Sequence, residues 1–490
     1  MPGVTPFDSL NWYTKAMLTF TAPQFVLMLA AVLFCWHFIL PKKLKKPALL
    51  LFSYYYAWKL GGTWTVIVLG AVTILTYFWA FILAKSENKK GLTIIYVILL
   101  LLLLIYSKQS SALSGILSKV FHDDRISIPV VAMIGLSYYS FSAMSYIIDI
   151  YRGKDQADRN FLDVALWLGF FAKIIAGPIE RHNNFKTHLD DLSTTRFDMD
   201  RIKRGLLICA RGYFYKMIIA DRLVIFVDAV FSDLSGNHGF TLFLAMMLFT
   251  VQVYFDFAGY SLIALGIARA LDLNIAPNFY LPFFSESIKE VWGRWHMSLS
   301  FWFRDYVYIS LGGSKKGKFR KNLNLIITFL ASGIWHGTGF SFILWGFIQA
   351  ILQIIEGPFR KRFKFPKLVN ILITDVVFIS SSVLNKLESF QNIKIFLKRM
   401  FTSWNPQIFT DGTLTGFGLD RKDWFIMLAA MGIVLIIETL QYKGISLYQK
   451  LQSNPVVVRW AAYYLIIIIL LVFGMYGSSY DPADFFYLQF

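Results

Sequence analysis

Residues 323–356 read LNLIITFLASGIWHGTGFSFILWGFIQAILQIIE: fourteen mostly apolar residues ending on His336, a Gly337-Thr338-Gly339 break, and seventeen more. At 1.5 Å per residue, fourteen helical residues cover about 21 Å, short of the roughly 30 Å hydrocarbon core of a bilayer. Basic loops bracket the pair: Lys315, Lys316, Lys318, Arg320 and Lys321 before it, Arg360, Lys361, Arg362, Lys364 and Lys367 after it. Loops rich in Lys and Arg stay on the cytoplasmic side. The chain is therefore expected to enter the membrane, turn at His336 below the far surface, and return. Irregular backbone at that depth is tolerated only when it is buried in protein or lines a water-filled cavity. The pattern places an ionisable side chain in a cavity within the bilayer, and glycines beside it allow close backbone approach by a substrate.

The composition agrees. Of 490 residues 56% are hydrophobic, 18% aromatic and 16% charged, where a soluble domain carries about 25% charged residues. The mean hydropathy is +0.54. An ordinary cytosolic enzyme is excluded, and so is a disordered chain, because 47 Phe, 25 Tyr and 14 Trp require burial. The net charge of +18 would suggest nucleic acid in a soluble protein. Here it reads as positive-inside loops facing anionic lipid, with no nucleic-acid partner. The clusters are Lys42, Lys43, Lys45 and Lys46; Lys85, Lys89 and Lys90; Arg152, Lys154 and Arg159; and the two loops above. They place the N-terminus outside, and the acidic tail with Asp481 and Asp484 puts the C-terminus outside too, while the mixed stretch 181–204 stays unassigned. No cleavable signal-peptide pattern is visible. Apolar segments near 25–40, 47–60, 63–84, 92–107, 127–150, 161–179, 205–231, 239–270, 323–336, 340–356, 368–385, 424–441 and 459–475 predict an all-α polytopic membrane protein. It is read as one domain over 1–490 with about eleven crossings, the remaining segments being re-entrant or short in-plane helices.

The chemistry is narrowed by what is missing. There is no H-E-x-x-H, C-x-x-C pair, P-loop, dinucleotide fingerprint or G-x-S-x-G elbow, so no tightly bound metal or cofactor is expected. A neutral His336 acting as general base is the simplest catalyst, contributing about 10²–10⁴-fold. His296 stands between Trp295 and Met297. A helix read from Trp292 to Tyr306 puts Trp295 and Trp302 on one face and Arg294 off it. Two readings stay open for His296: an interfacial histidine in an aromatic belt, or a group at the cytoplasmic mouth of the cavity. His37, His122, His182, His188 and His238 read as structural. The tail Phe485-Phe-Tyr-Leu-Gln-Phe490 is too apolar to hang free and is expected to fold back. Tyr487 within it is either a packing anchor or a phenol that accepts an acyl group. Missing repeats and the lack of paired intramembrane acids disfavour a transporter or channel.

Longer motifs carry a resemblance. RWHMSLSFWFRDYVYISLGG (294–313), GIWHG (333–337), QVYFDFAGYS (252–261), AGPIER (176–181) and IGLSYYSFSAMSY (134–146) resemble the membrane-bound O-acyltransferase (MBOAT) superfamily, closest to its alginate O-acetyltransferase branch. The resemblance runs from about residue 25 to the C-terminus. It implies a ring of tilted helices around a central funnel pinched at His336, with His296 the second signature histidine nearer the cytoplasm. The same motifs bring Trp335, Gly337, Arg294, Trp295, Arg304 and Asp305 as tunnel-lining or supporting residues. The resemblance implies an O-acyltransferase of the inner (plasma) membrane that takes acetyl-CoA or another acyl thioester from the cytoplasm, its phosphates steered by the basic loops. The acceptor side is an exported acetyltransferase partner or a secreted or cell-envelope polysaccharide. The terminal Phe485-x-Tyr487-x-x-Phe490 pattern is similar to that of the small partner in teichoic-acid D-alanylation. That similarity implies that Tyr487 carries the acyl group transiently, and it keeps D-alanyl transfer from a carrier protein as the alternative.

Overall fold

A computed structural model describes residues 19–121, 133–175, 177–192, 196–337 and 339–476. Every regular element among the described residues is helical, as the long apolar segments predicted. Packing divides the chain into two compact units, residues 1–209 with 261–277, and residues 210–260 with 278–490.

The first unit holds α1 (Pro23–Phe34), α2 (Lys42–Lys85), α3 (Lys89–Phe121), α4 (Leu136–Tyr151), α5 (Phe161–Gly169), α6 (Phe171–Ile174), α7 (His182–Asp191) and the start of α8 (Met199–Tyr213). Gly62 breaks α2 with a φ of 73°, a value open to glycine at little cost. Each arm is about 20 residues, or roughly 30 Å, and the arms match the apolar segments 47–60 and 63–84. Aromatic side chains fill this unit's core: Trp167, Phe170, Phe171 and Phe185 are buried, and the Phe171 ring meets Phe52 edge-on at 4.8 Å. His182, read as structural, is held between Asp155 at 3.0 Å and Asp158 at 3.2 Å, with Lys186 2.9 Å from Asp158. Burial disfavours the His182 imidazolium, but its bonds to the two carboxylates outweigh burial and raise its pKa.

The second unit holds α9 (Asp221–Ser232), α10 (Gly239–Ala270) as far as Tyr260, α11 (Ile288–Trp292), α12 (Met297–Phe303), α13 (Gly317–His336), α14 (Phe340–Arg362), α15 (Lys367–Ser382), α16 (Leu384–Leu387), α17 (Phe390–Thr402), α18 (Arg421–Tyr442), α19 (Leu447–Gln452) and α20 (Val456–Phe473). A π-helical turn, Phe214–Ala220, leads into α9. Lys216 on that turn lies 2.8 Å from Asp221 and 2.7 Å from Asp256 of α10, all three buried. Asp256 sits in a helix apolar enough to cross a membrane, while Asp221 opens α9, outside those helices. The charge of Asp256 is met by a lysine forty residues earlier in the chain, a pairing that no local pattern discloses.

Seven described helices are long and apolar enough to cross a membrane: α2, the Lys89–Lys108 part of α3, α10, α14, α15 with its continuation to Leu387, α18 and α20. The chain is a multi-pass membrane protein. Part of the distance from the expected eleven crossings lies in α2, which counts once although Gly62 divides it.

Candidate functional site

The break read at Gly337-Thr338-Gly339 is real. Helix α13 ends on His336 and α14 starts at Phe340. The two helices pack closely because small residues face each other. A Cβ at Gly333 would overlap the Phe342 carbonyl, and one at Gly346 would overlap the Phe329 carbonyl. Close backbone approach through small residues is a common device between membrane helices. It brings Trp345 of α14 against His336, with ring centroids 5.0 Å apart and nearly perpendicular. Gly337 has extended backbone, φ −177°, and its missing side chain makes room for the Phe342 ring. The glycine thus admits a neighbouring aromatic ring.

His296 reaches the same place by another route. The helix read through Trp292–Tyr306 is interrupted: α11 stops at Trp292 and α12 starts at Met297. Between them His296 adopts φ 42°, ψ 52°, which cannot continue a right-handed helix. Asn278 clamps this turn. Its carbonyl accepts from the Met297 N–H at 2.8 Å, and its Oδ1 accepts from Ser298 Oγ at 2.6 Å. Left-handed backbone at a non-glycine residue costs about 1–3 kcal/mol and is concentrated at functional sites. The His296 ring meets Phe257 edge-on at 4.6 Å and lies 6.3 Å from Trp335. It belongs to no spanning helix, and burial pushes its pKa down to about 3, so the imidazole is neutral at physiological pH.

Both histidines line one cavity, with Trp292, Trp295, Phe342 and Trp345 among its walls and Ser382 and Asn385 among its polar groups. Trp335 neighbours both, its ring 4.7 Å from that of His336. The cavity measures about 30 Å³, room for about two waters on a scale where one needs roughly 10–15 Å³. A neutral imidazole beside a small, largely aromatic space can take a proton from a hydroxyl while bulk water is held back. Among the described residues no group of three or more His, Cys, Asp or Glu is placed to hold a metal ion.

The family model for MBOAT, the membrane-bound O-acyltransferase family, matches residues 50–379. The chain belongs to this family. The expectation of an acyltransferase is borne out, and so is the resemblance to the alginate branch. A probable alginate O-acetylase of Pseudomonas aeruginosa is 30% identical over 416 residues, 81% of this chain and 78% of its own. Another, from Pseudomonas putida, is 38% identical over 245 residues, half of each protein. A peptidoglycan O-acetyltransferase of Helicobacter pylori is 27% identical over 395 residues, 73% of this chain and 75% of its own.

Of the site residues read from the sequence of this MBOAT protein, His336, His296 and Trp295 line the cavity and Trp335 packs beside both histidines. Arg294 belongs to the supporting frame. It pairs with Glu290 at 2.6 Å and donates to the Leu281 carbonyl at 3.3 Å. Arg304 and Asp305 pair with each other at 2.7 Å on an exposed turn away from the cavity walls. Tyr487 and the tail Phe485–Phe490 lie outside the described residues. Trp345, Asn385 and Trp292 were missed. Gly333 and Gly346, on either side of the turn, were the available signal for Trp345, because their register sets α14 against the end of α13.

Proposed function

We propose that this chain is an O-acetyltransferase of the inner (plasma) membrane. It takes acetyl from a cytoplasmic thioester donor such as acetyl-CoA and delivers it across the membrane to a secreted or cell-envelope polysaccharide. His336 is the general base: it removes the proton of the attacking hydroxyl, either the acceptor's own or the Tyr487 phenol acting as a transient carrier with its C-terminus outside. The observation that carries this reading is the pair of histidines on one small cavity of an MBOAT protein. Relatives named for O-acetylation of alginate and of peptidoglycan support acetyl as the group and polysaccharide as the acceptor class.

The test is the O-acetyl content of surface polysaccharide in cells whose only copy carries His336→Ala. The expected result is a loss of about 10²–10⁴-fold with membrane insertion unchanged. Full acetylation by a normally inserted variant overturns the reading. Recovery of D-alanine in place of acetate after alkaline release would instead assign the D-alanyl alternative.

A further inference from the structure

Most of the cavity's polar side chains are satisfied by the protein. Ser382 Oγ donates to the Phe378 carbonyl at 2.8 Å, Thr250 Oγ1 to the Ile379 carbonyl at 3.3 Å, and Trp292 Nε1 to Gln349 Oε1 at 3.3 Å. Two groups differ. Trp345 is 3% exposed, yet its indole Nε1–H has no acceptor among the described residues. Asn385 Oδ1 is shielded from solvent and has no donor among them. Both residues line the cavity, and the Trp345 ring packs against His336.

An unmet buried donor or acceptor costs about 1–3 kcal/mol, and in a native protein such a group calls for a ligand, a water or a catalytic role. Together the two groups describe what is missing: something that accepts from an N–H on one side and donates to a carbonyl oxygen on the other. A thioester donor has both features, a carbonyl oxygen at the reacting carbon and amide N–H groups along the arm that bears the sulfur.

We infer that Trp345 is a catalytic residue, its Nε1–H holding the thioester carbonyl oxygen as that oxygen becomes an oxyanion, while Asn385 Oδ1 accepts a hydrogen bond from the donor arm. This rests on the reading of the histidine cavity as the acyl-transfer site. The hydroxyl oxygen forms a bond to the carbonyl carbon and its proton passes to His336. The carbonyl electron pair moves onto oxygen, where Trp345 stabilises it. The intermediate then collapses, the carbon–sulfur bond breaks, and the thiolate leaves with the proton from His336. A donor aimed at the developing charge, in a site that excludes bulk water, gains strength as the charge forms.

The experiment measures transfer of radiolabelled acetyl from acetyl-CoA by the full-length chain in native membranes, per quantified protein, for wild type, Trp345→Phe and Asn385→Leu. Trp345→Phe keeps an aromatic ring and removes the N–H. Its expected effect is a fall in kcat of about 10²–10³-fold with the KM for acetyl-CoA within a few-fold. Asn385→Leu is expected to raise KM without lowering the melting temperature, because it removes an unmet acceptor and no internal bond. Wild-type kcat in a well-folded Trp345→Phe protein overturns the inference and leaves the functional reading standing. A wild-type protein that transfers no acetyl from acetyl-CoA overturns the functional reading, and the inference with it. If Trp345→Phe does not fold, a lowered melting temperature with unchanged KM in Asn385→Leu overturns the inference, since it shows a structural role at the paired group.

Discussion

The Tyr254 hydroxyl donates to the Glu438 carboxylate at 2.6 Å, joining α10 to α18 inside the second unit. Tyr215 donates to the same oxygen at 2.8 Å, and Arg211 reaches it at 3.4 Å. The Tyr254 ring then packs on Trp295 at 5.9 Å and on Phe283 at 5.1 Å. A buried acid thus holds the phenol whose ring supports one wall of the histidine cavity. Glu438→Gln and Tyr254→Phe are each expected to lower acetyl transfer by about 10–10²-fold, since small misplacements of reacting groups carry costs of that order. Acetyl-CoA kinetics with protein quantified in the same membranes checks this, and the loss is expected in kcat more than in KM.

The crossing of α13 and α14 depends on Gly333, whose added Cβ would run into the Phe342 backbone. Backbone cannot yield as a flexible side chain does. Gly333→Val is expected to destabilise the protein by at least the 1–3 kcal/mol typical of overpacking. Its readout is the melting temperature and the yield of monodisperse protein in detergent, with Gly357→Ala, at a site with open space, as the unaffected control.

Lys216 bridges Asp221 and Asp256 in a buried setting. Removing one partner of a buried ion cluster strands the others, at about 3–5 kcal/mol. Lys216→Met is therefore expected to unfold at a markedly lower temperature. Adding Asp221→Asn and Asp256→Asn to it is expected to recover much of the loss, which thermal unfolding of the single and triple variants would measure.

The His182 cluster predicts a pH dependence. His182 faces Asp155 and Asp158, the Tyr146 and Trp167 rings pack on it, and Lys186 shares Asp158. Its pKa is raised, so its contribution is complete below the unfolded value near 6.5 and is lost as pH rises through the folded value. Burial works against the Asp158 carboxylate, but bonds from His182, the Asn160 N–H and Lys186 prevail and lower its pKa. That contribution is present above the unfolded value near 3.9 and is lost as pH falls. The melting-temperature gap between wild type and His182→Gln is expected to be widest near pH 5–6 and to narrow as the solution becomes alkaline.

Much of this protein was legible in order of residues alone. Hydropathy, the basic loops and the short run ending at His336 determine a polytopic helical protein with a histidine at a break. Each of these signals is local, because spanning length, loop charge and a glycine break are properties of consecutive residues. The motifs around His296 and His336 determine the family for the same reason. What lies forty residues apart was decided only by the tertiary structure. His296 enters the cavity because its backbone turns left-handed under the hold of Asn278, where helical periodicity predicted continuation. Arg294, Arg304 and Asp305 share its motif yet settle on Glu290 and on each other, since a charged side chain takes the partner within reach. Trp345 and Asn385 carry no motif signal of their own. Among the described residues their hydrogen-bonding groups are left unmet because α13, α14 and the α15–α16 junction pack around one small space, and packing between distant segments is not written in the spacing of either one.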